Sequence, residues 1–125
     1  MLDQHGITGI VFYVRDLDRT ADFWKNTLNI SIDVRGEGDE KWAYGDAGKT
    51  GVIFFESDEP RPPMPVFGLD DGGIETVVAR LAEQNVQIVT PVSHAPGGWT
   101  ADFEDPSGIL FSLYQEASKP KTASS

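Results

Sequence analysis

One order of elements is written twice in this chain, and that repetition limits the folds open to it more than any single motif does. Ile7 to Val14 has the β-branched and aromatic content of a strand. Asp16 suits a helix N-cap and Asp18 the positive end of the helix dipole. Leu17, Ala21, Trp24 and Leu28 then recur at helical spacing. Ile30, Ile32 and Val34 alternate with polar residues as a strand does. Trp42 and Tyr44 share one face of a third strand, and Gly51 to Glu56 is a nearly all-apolar fourth. The segment Asp58-Glu59-Pro60-Arg61-Pro62-Pro63 interrupts regular hydrogen bonding and reads as a linker. The order then restarts. Met64 to Leu69 is a short strand, and Asp70 or Asp71 is expected to cap a helix carrying Ile74, Val77, Val78 and Leu81, with Asn85 at its end. Val86, Ile88 and Val92 begin the next strands, Trp99 to Glu104 is another, and Ile109 to Tyr114 closes the set.

These signals predict an α+β fold of two tandem βαβββ modules in one domain spanning residues 1–125. Module one covers 7–57, the linker 58–63, module two 64–115, and a polar tail at 116–125 is expected to be disordered. One helix covers one face of each four-stranded sheet, so the other face must enclose something. Two such curved sheets make a cup.

At 125 residues a single domain buries roughly two-thirds of its unfolded surface, so the core needs no covalent staple. None is available, because the chain has no cysteine; disulfides, thiolate metal sites and a cysteine nucleophile are excluded together. A reducing cytoplasm is the expected setting. The first residues lack the basic and apolar pattern of a signal peptide, and no apolar run approaches the roughly 20 residues that cross a bilayer. A formal charge of −10 repels phosphate backbones and anionic lipid, so neither nucleic acid nor membrane is an expected partner. Such a charge attracts a cationic ligand, and it equally serves solubility.

The stretch Ile7-Thr8-Gly9-Ile10-Val11-Phe12-Tyr13-Val14-Arg15-Asp16-Leu17, followed by Ala21-Asp22-Phe23-Trp24 and Leu28, resembles the opening of the vicinal oxygen chelate superfamily. That group includes glyoxalase I, bleomycin-resistance proteins and extradiol dioxygenases. Asp105-Pro106-Ser107-Gly108 before an apolar strand resembles its closing turn, so the likeness runs from about Ile7 to Gln115. The resemblance implies metal ligands on the first and last strands of each module. Carried over, those positions are Gly9, Phe54, Met64 and Ser112. Glycine and phenylalanine offer no donor, methionine is a soft thioether and serine a weak neutral ligand. No metal and no other cofactor is therefore expected.

If Phe54 faces the cup, strand alternation places Val52 and Glu56 there too. In the seventh strand Trp99, Ala101 and Phe103 should pack beneath the helices, leaving Asp102 towards the cup. The expected ligand-binding set is Val11, Tyr13, Trp42, Tyr44, Phe54, Glu56, Met64, Asp102, Ser112 and Tyr114. That mix of apolar walls and sparse polar anchors suits a small molecule. Glu56, Asp102 and His94 are candidate bases. Against this, Glu56 and Asp102 also read as rim carboxylates, His94 as a solvated loop residue, and Trp42 with Tyr44 as cross-strand packing. The leading expectation is a metal-independent binding protein of the bleomycin-resistance type, a homodimer as the resemblance implies, sequestering a cationic or aromatic ligand such as an antibiotic. The alternatives are a metal-free lyase or isomerase of the same fold, a metal-dependent glyoxalase- or dioxygenase-like enzyme with displaced ligands, and a domain that assembles only with a partner.

Overall fold

In a computed structural model the described residues are 2–59 and 61–122, the side chain of Asp39 excepted. The chain divides into two compact units, one of Thr8–Met64 and one of residues 65–122 together with residues 2–7. Each is a four-stranded sheet with one helix on one face.

The first unit contains β1 (Ile7–Val14, entering at Thr8), α1 (Leu17–Asn26), β2 (Ile32–Arg35), β3 (Trp42–Ala47) and β4 (Thr50–Glu56). Its strand order is β2-β3-β4-β1. β2, β3 and β4 form an antiparallel meander, and β4 returns parallel to β1 in the register Gly9↔Gly51 to Val14↔Glu56. Asp16 caps α1 as its sequence position predicts, its carboxylate accepting the Arg19 amide at 3.1 Å. Leu17 and Ala21 on the inner face of α1 bury against Ile32, Ala43, Val52 and Phe54, with Phe12, Val14, Trp24 and Ile30 around them. Full burial of a residue such as Leu17 stabilises the unit by about 1.5–3 kcal/mol.

The second unit repeats the plan with β5 (Met64–Gly68, its first residue counted with the other unit), α2 (Ile74–Glu83), β6 (Gln87–Ala95), β7 (Gly98–Glu104) and β8 (Leu110–Glu116). The order is β6-β7-β8-β5, with β8 parallel to β5. Leu69, Ile74, Leu81, Ala101 and Leu113 form the core, and Trp99 and Phe103 pack on it from β7. Asn85 ends α2 in the left-handed region at φ 64°, a conformation asparagine tolerates. Pro91 lies within β6, where the pairing with β7 shifts register between Thr90 and Ser93, because proline cannot donate to the ladder.

Two expectations about this unit are corrected. Neither Asp70 nor Asp71 caps α2. The N-cap is Gly73 at φ 84°, and the amides of the first turn are taken by groups from far along the chain. Gln115 Oε1 accepts from Ile74 at 2.9 Å, while the carbonyls of Pro120 and Lys121 accept from Gly73 and Glu75, both at 2.8 Å. For the same reason residues 117–122, expected to be a disordered tail, are strapped onto α2; residues 123–125 of that segment lie outside the described residues. Lys121 also pairs with Glu75 at 3.6 Å and stands 4.0 Å from the Trp99 ring centre.

Candidate ligand-binding faces

Strand alternation and the observed registers assign every site residue to a face. In the first unit the helix side of β1 and β4 carries Phe12 with Phe54, their rings 5.3 Å apart and stacked, and Trp24 edge-on to Phe54 at 5.2 Å. Phe54 is 1% exposed and belongs to the core. Glu56 shares that side, and its Oε2 accepts the backbone N–H of Leu17 at 3.1 Å, serving the N-terminus of α1. The expectation that Phe54, Val52 and Glu56 face the ligand is therefore reversed. A run such as Gly51–Phe55 has no polar residue to report its parity, and a slip of one residue flips every side chain.

The open face of this unit carries Gly9, Val11 and Tyr13 from β1 and Gly51, Ile53 and Phe55 from β4. Trp42 and Tyr44 stand beside them on β3. Four rings make an array. Trp42 and Tyr44 stack at 5.4 Å, Tyr13 and Phe55 lie 6.3 Å apart, and Trp42 is the direct cross-strand neighbour of Phe55. Arg61 from the linker places its guanidinium 5.2 Å from the Tyr13 ring centre. Arg35 lies 5.9 Å from that of Tyr44, donating to Asp33 at 3.0 Å and to the Tyr44 hydroxyl at 3.4 Å. The bond from Arg35, helped by Tyr44, holds the Asp33 carboxyl below its ordinary pKa, and the same contacts raise that of Arg35.

In the second unit Trp99, Ala101 and Phe103 pack beneath α2, so the open face presents Thr100, Asp102 and Glu104 from β7, Leu110, Ser112 and Tyr114 from β8, and Met64 and Val66 from β5. This face is polar at its centre. Thr100 donates to the Leu113 carbonyl at 3.0 Å, which leaves the 3.0 Å contact between Thr100 and Ser112 to be donated by Ser112. Asp102 is the cross-strand partner of Ser112. The Tyr114 hydroxyl donates to the Pro96 carbonyl at 3.1 Å, and burial, with a smaller effect from Glu116, raises its pKa. His94 is a strand residue rather than a loop residue. It pairs with Trp99, its ring 4.1 Å from the indole, and so lies on the α2 side, away from Asp102.

The two units also correct the ligand positions that the resemblance supplies. Glu56 and Gln115 end equivalent strands and cap equivalent helices, so the counterpart of Ser112 is Ile53, not Phe54. The set becomes Gly9, Ile53, Met64 and Ser112. A side chain at Gly9 would bring its Cβ to 3.2 Å from the Gly51 carbonyl oxygen, Ile53 has no donor atom, and the Ser112 hydroxyl is committed to Thr100. Among the described residues no group of three or more His, Cys, Asp or Glu is placed to hold a metal ion. These residues do not fit the divalent centre of the metal-dependent relatives. Sequence reading missed Ile53, Phe55, Arg35 and Arg61; matching Gln115 to Glu56 across the repeat was the signal that could have found Ile53. A shallow surface depression of about 400 Å³ lies elsewhere, lined by Arg15, Asp16, Arg19, Thr20 and Phe23, and contains none of the expected residues.

The sequence profile of the Glyoxalase/Bleomycin resistance protein/Dioxygenase superfamily matches residues 6–113. No curated protein sequence matches the chain. Among solved structures, methylmalonyl-CoA epimerase from Mycobacterium tuberculosis superposes with a TM-score of 0.73 at 17% identity, covering 93% of this chain and 89% of its own. A hypothetical protein from Bacillus halodurans C-125 gives 0.73 at 18% identity, covering 97% and 99%. The 2,3-dioxygenase LapB from Pseudomonas sp. KL28 gives 0.63 at 23% identity over 90% of this chain and 40% of that one. At these identities the likeness establishes the fold.

Proposed function

The chain belongs to the glyoxalase/bleomycin resistance protein/dioxygenase superfamily, and on that premise we propose that it binds a small planar molecule without a metal ion and holds it rather than transforming it. The observation that carries this reading is the array of Tyr13, Trp42, Tyr44 and Phe55 on the open face of the first unit. Aromatic rings held side by side on a strand face offer stacking area at little entropic cost. The donor-poor set Gly9, Ile53, Met64 and Ser112 supports the metal-free part of the proposal. Antibiotics are among the molecules of this shape, so resistance by sequestration belongs to the same proposal, as do a homodimer and a cytoplasmic setting.

Chelator-treated protein is expected to bind a planar aromatic probe as tightly as untreated protein, and Trp42→Ala to weaken binding roughly tenfold. Isothermal titration reads both. Stoichiometric Zn, Ni, Mn or Fe in protein purified without chelators, with binding lost on its removal, would overturn the proposal. An enzymatic reading survives at one residue only. Glu56 caps a helix and His94 lies against Trp99, which leaves Asp102, beside Ser112 and Thr100, as a candidate base. Turnover that is lost in Asp102→Asn while binding persists would favour a lyase or isomerase.

A further inference from the structure

We infer that Arg61 is an internal competitor for the ligand of the aromatic face, so that this face selects planar organic cations able to displace it; the inference rests on the binding role proposed above for that face. The guanidinium is itself a small planar cation, and it already stands 5.2 Å from the Tyr13 ring centre, within the range of a cation–π contact. Its neighbour on the array behaves differently. Arg35 is neutralised and anchored by Asp33 at 3.0 Å, whereas Arg61, exposed and followed by Pro62 and Pro63, has no ion-pair partner among the described residues. Prolines fix φ, so the linker presents Arg61 on a stiff stretch of backbone.

One ring face cannot hold two cations at once. A planar cationic ligand over Tyr13 must displace Arg61, whose charge returns to water without leaving a buried partner unpaired. The net charge of −10 favours a cation over an anion throughout its approach.

The test is isothermal titration with two probes, the planar cation proflavine and the planar anion anthracene-9-carboxylate. It uses wild type, Arg61→Ala, Arg61→Lys and Trp42→Ala. Arg61→Ala is expected to bind proflavine roughly two- to fivefold more tightly, the size of an exposed cation–π contact. Arg61→Lys should stay near wild type, and the anion should gain nothing. Unchanged or weaker proflavine binding in Arg61→Ala, with Trp42→Ala still weakened, overturns the competitor role and leaves the aromatic site intact. An anion that binds wild type and is lost in Arg61→Ala makes Arg61 an anchor and also overturns it. Failure of wild type and Arg61→Ala to bind either probe removes the aromatic site itself, and the competitor role with it.

Discussion

The two repeats solve one problem with different chemistry. Each must satisfy the first amide of its helix from the end of its last strand. In the first, exposed Glu56 does so for Leu17, and Asp16 adds a second carboxylate at the same helix end. Water nearby makes a charge affordable, and the helix dipole favours a negative one. In the second, Gln115 is 1% exposed and must also donate, its amide nitrogen reaching the Lys119 carbonyl at 2.9 Å. A buried carboxylate would have no hydrogen to give those carbonyls and would lose its hydration. Solvent access selects acid in one repeat and amide in the other. The open faces diverge in the same way. Trp42 and Tyr44 in the first repeat occupy the places that Thr100 and Asp102 take in the second, so one face is built for stacking and the other for hydrogen bonds.

Substitutions at five positions set these contrasts at risk. The largest effect is expected at Phe54→Ala, which empties a site among Phe12, Trp24 and Leu17 and should cost about 3–5 kcal/mol in urea unfolding. Phe55→Ala, on the opposite face, should cost far less while weakening aromatic ligands; equal losses at the two positions would refute the face assignment. Gln115→Ala strands the buried Ile74 amide and frees residues 117–122, a loss of about 2–3 kcal/mol, with faster amide exchange in the first turn of α2. Gln115→Glu should rescue little. Glu56→Ala should lose only about 0.5–1 kcal/mol, because water can replace the exposed carboxylate. If it proved as damaging as Gln115→Ala, solvent access would not explain the choice of acid and amide.

The smallest effect is expected at Asp33, whose bond to Arg35 has no counterpart described in the second repeat. Its carboxyl is held below the ordinary aspartate range, so the stability it adds is present above that range and is lost as pH falls through the folded pKa. Asp33→Asn should therefore narrow its gap from wild type on acidification below about pH 4. Urea midpoints measured over that range check this, and a gap independent of pH would show that the ion pair contributes nothing.

The repeat, the Asp16 cap and the inward set Trp99, Ala101 and Phe103 were legible in the sequence, because polar residues punctuate them and fix their phase. β4 was not, since Gly51–Phe55 has no such marker and its facing depends on pairing with β1. The α2 cap was not legible either. Its acceptor lies 41 residues from the amide it serves, beyond the reach of any local pattern. His94 was misplaced because Pro91 disguised a strand as a loop. Arg61 drew no notice in a linker, where composition alone gives no hint that a charged residue meets a ring.

The strap of residues 119–121 over α2 sets an order of events during synthesis. In the unit formed by Thr8–Met64 both helix-capping carboxylates, Asp16 and Glu56, are in place once its own last strand has left the ribosome. The other unit draws Leu2 from one end and Lys121 from the other, and the Gly73 and Glu75 amides at the start of its helix lack their acceptors until residue 121 is made. A nascent chain halted at residue 116 would keep Gln115 on Ile74 but leave the Gly73 and Glu75 amides without their acceptors, so truncations there should be cleared by proteases while those ending after residue 122 survive.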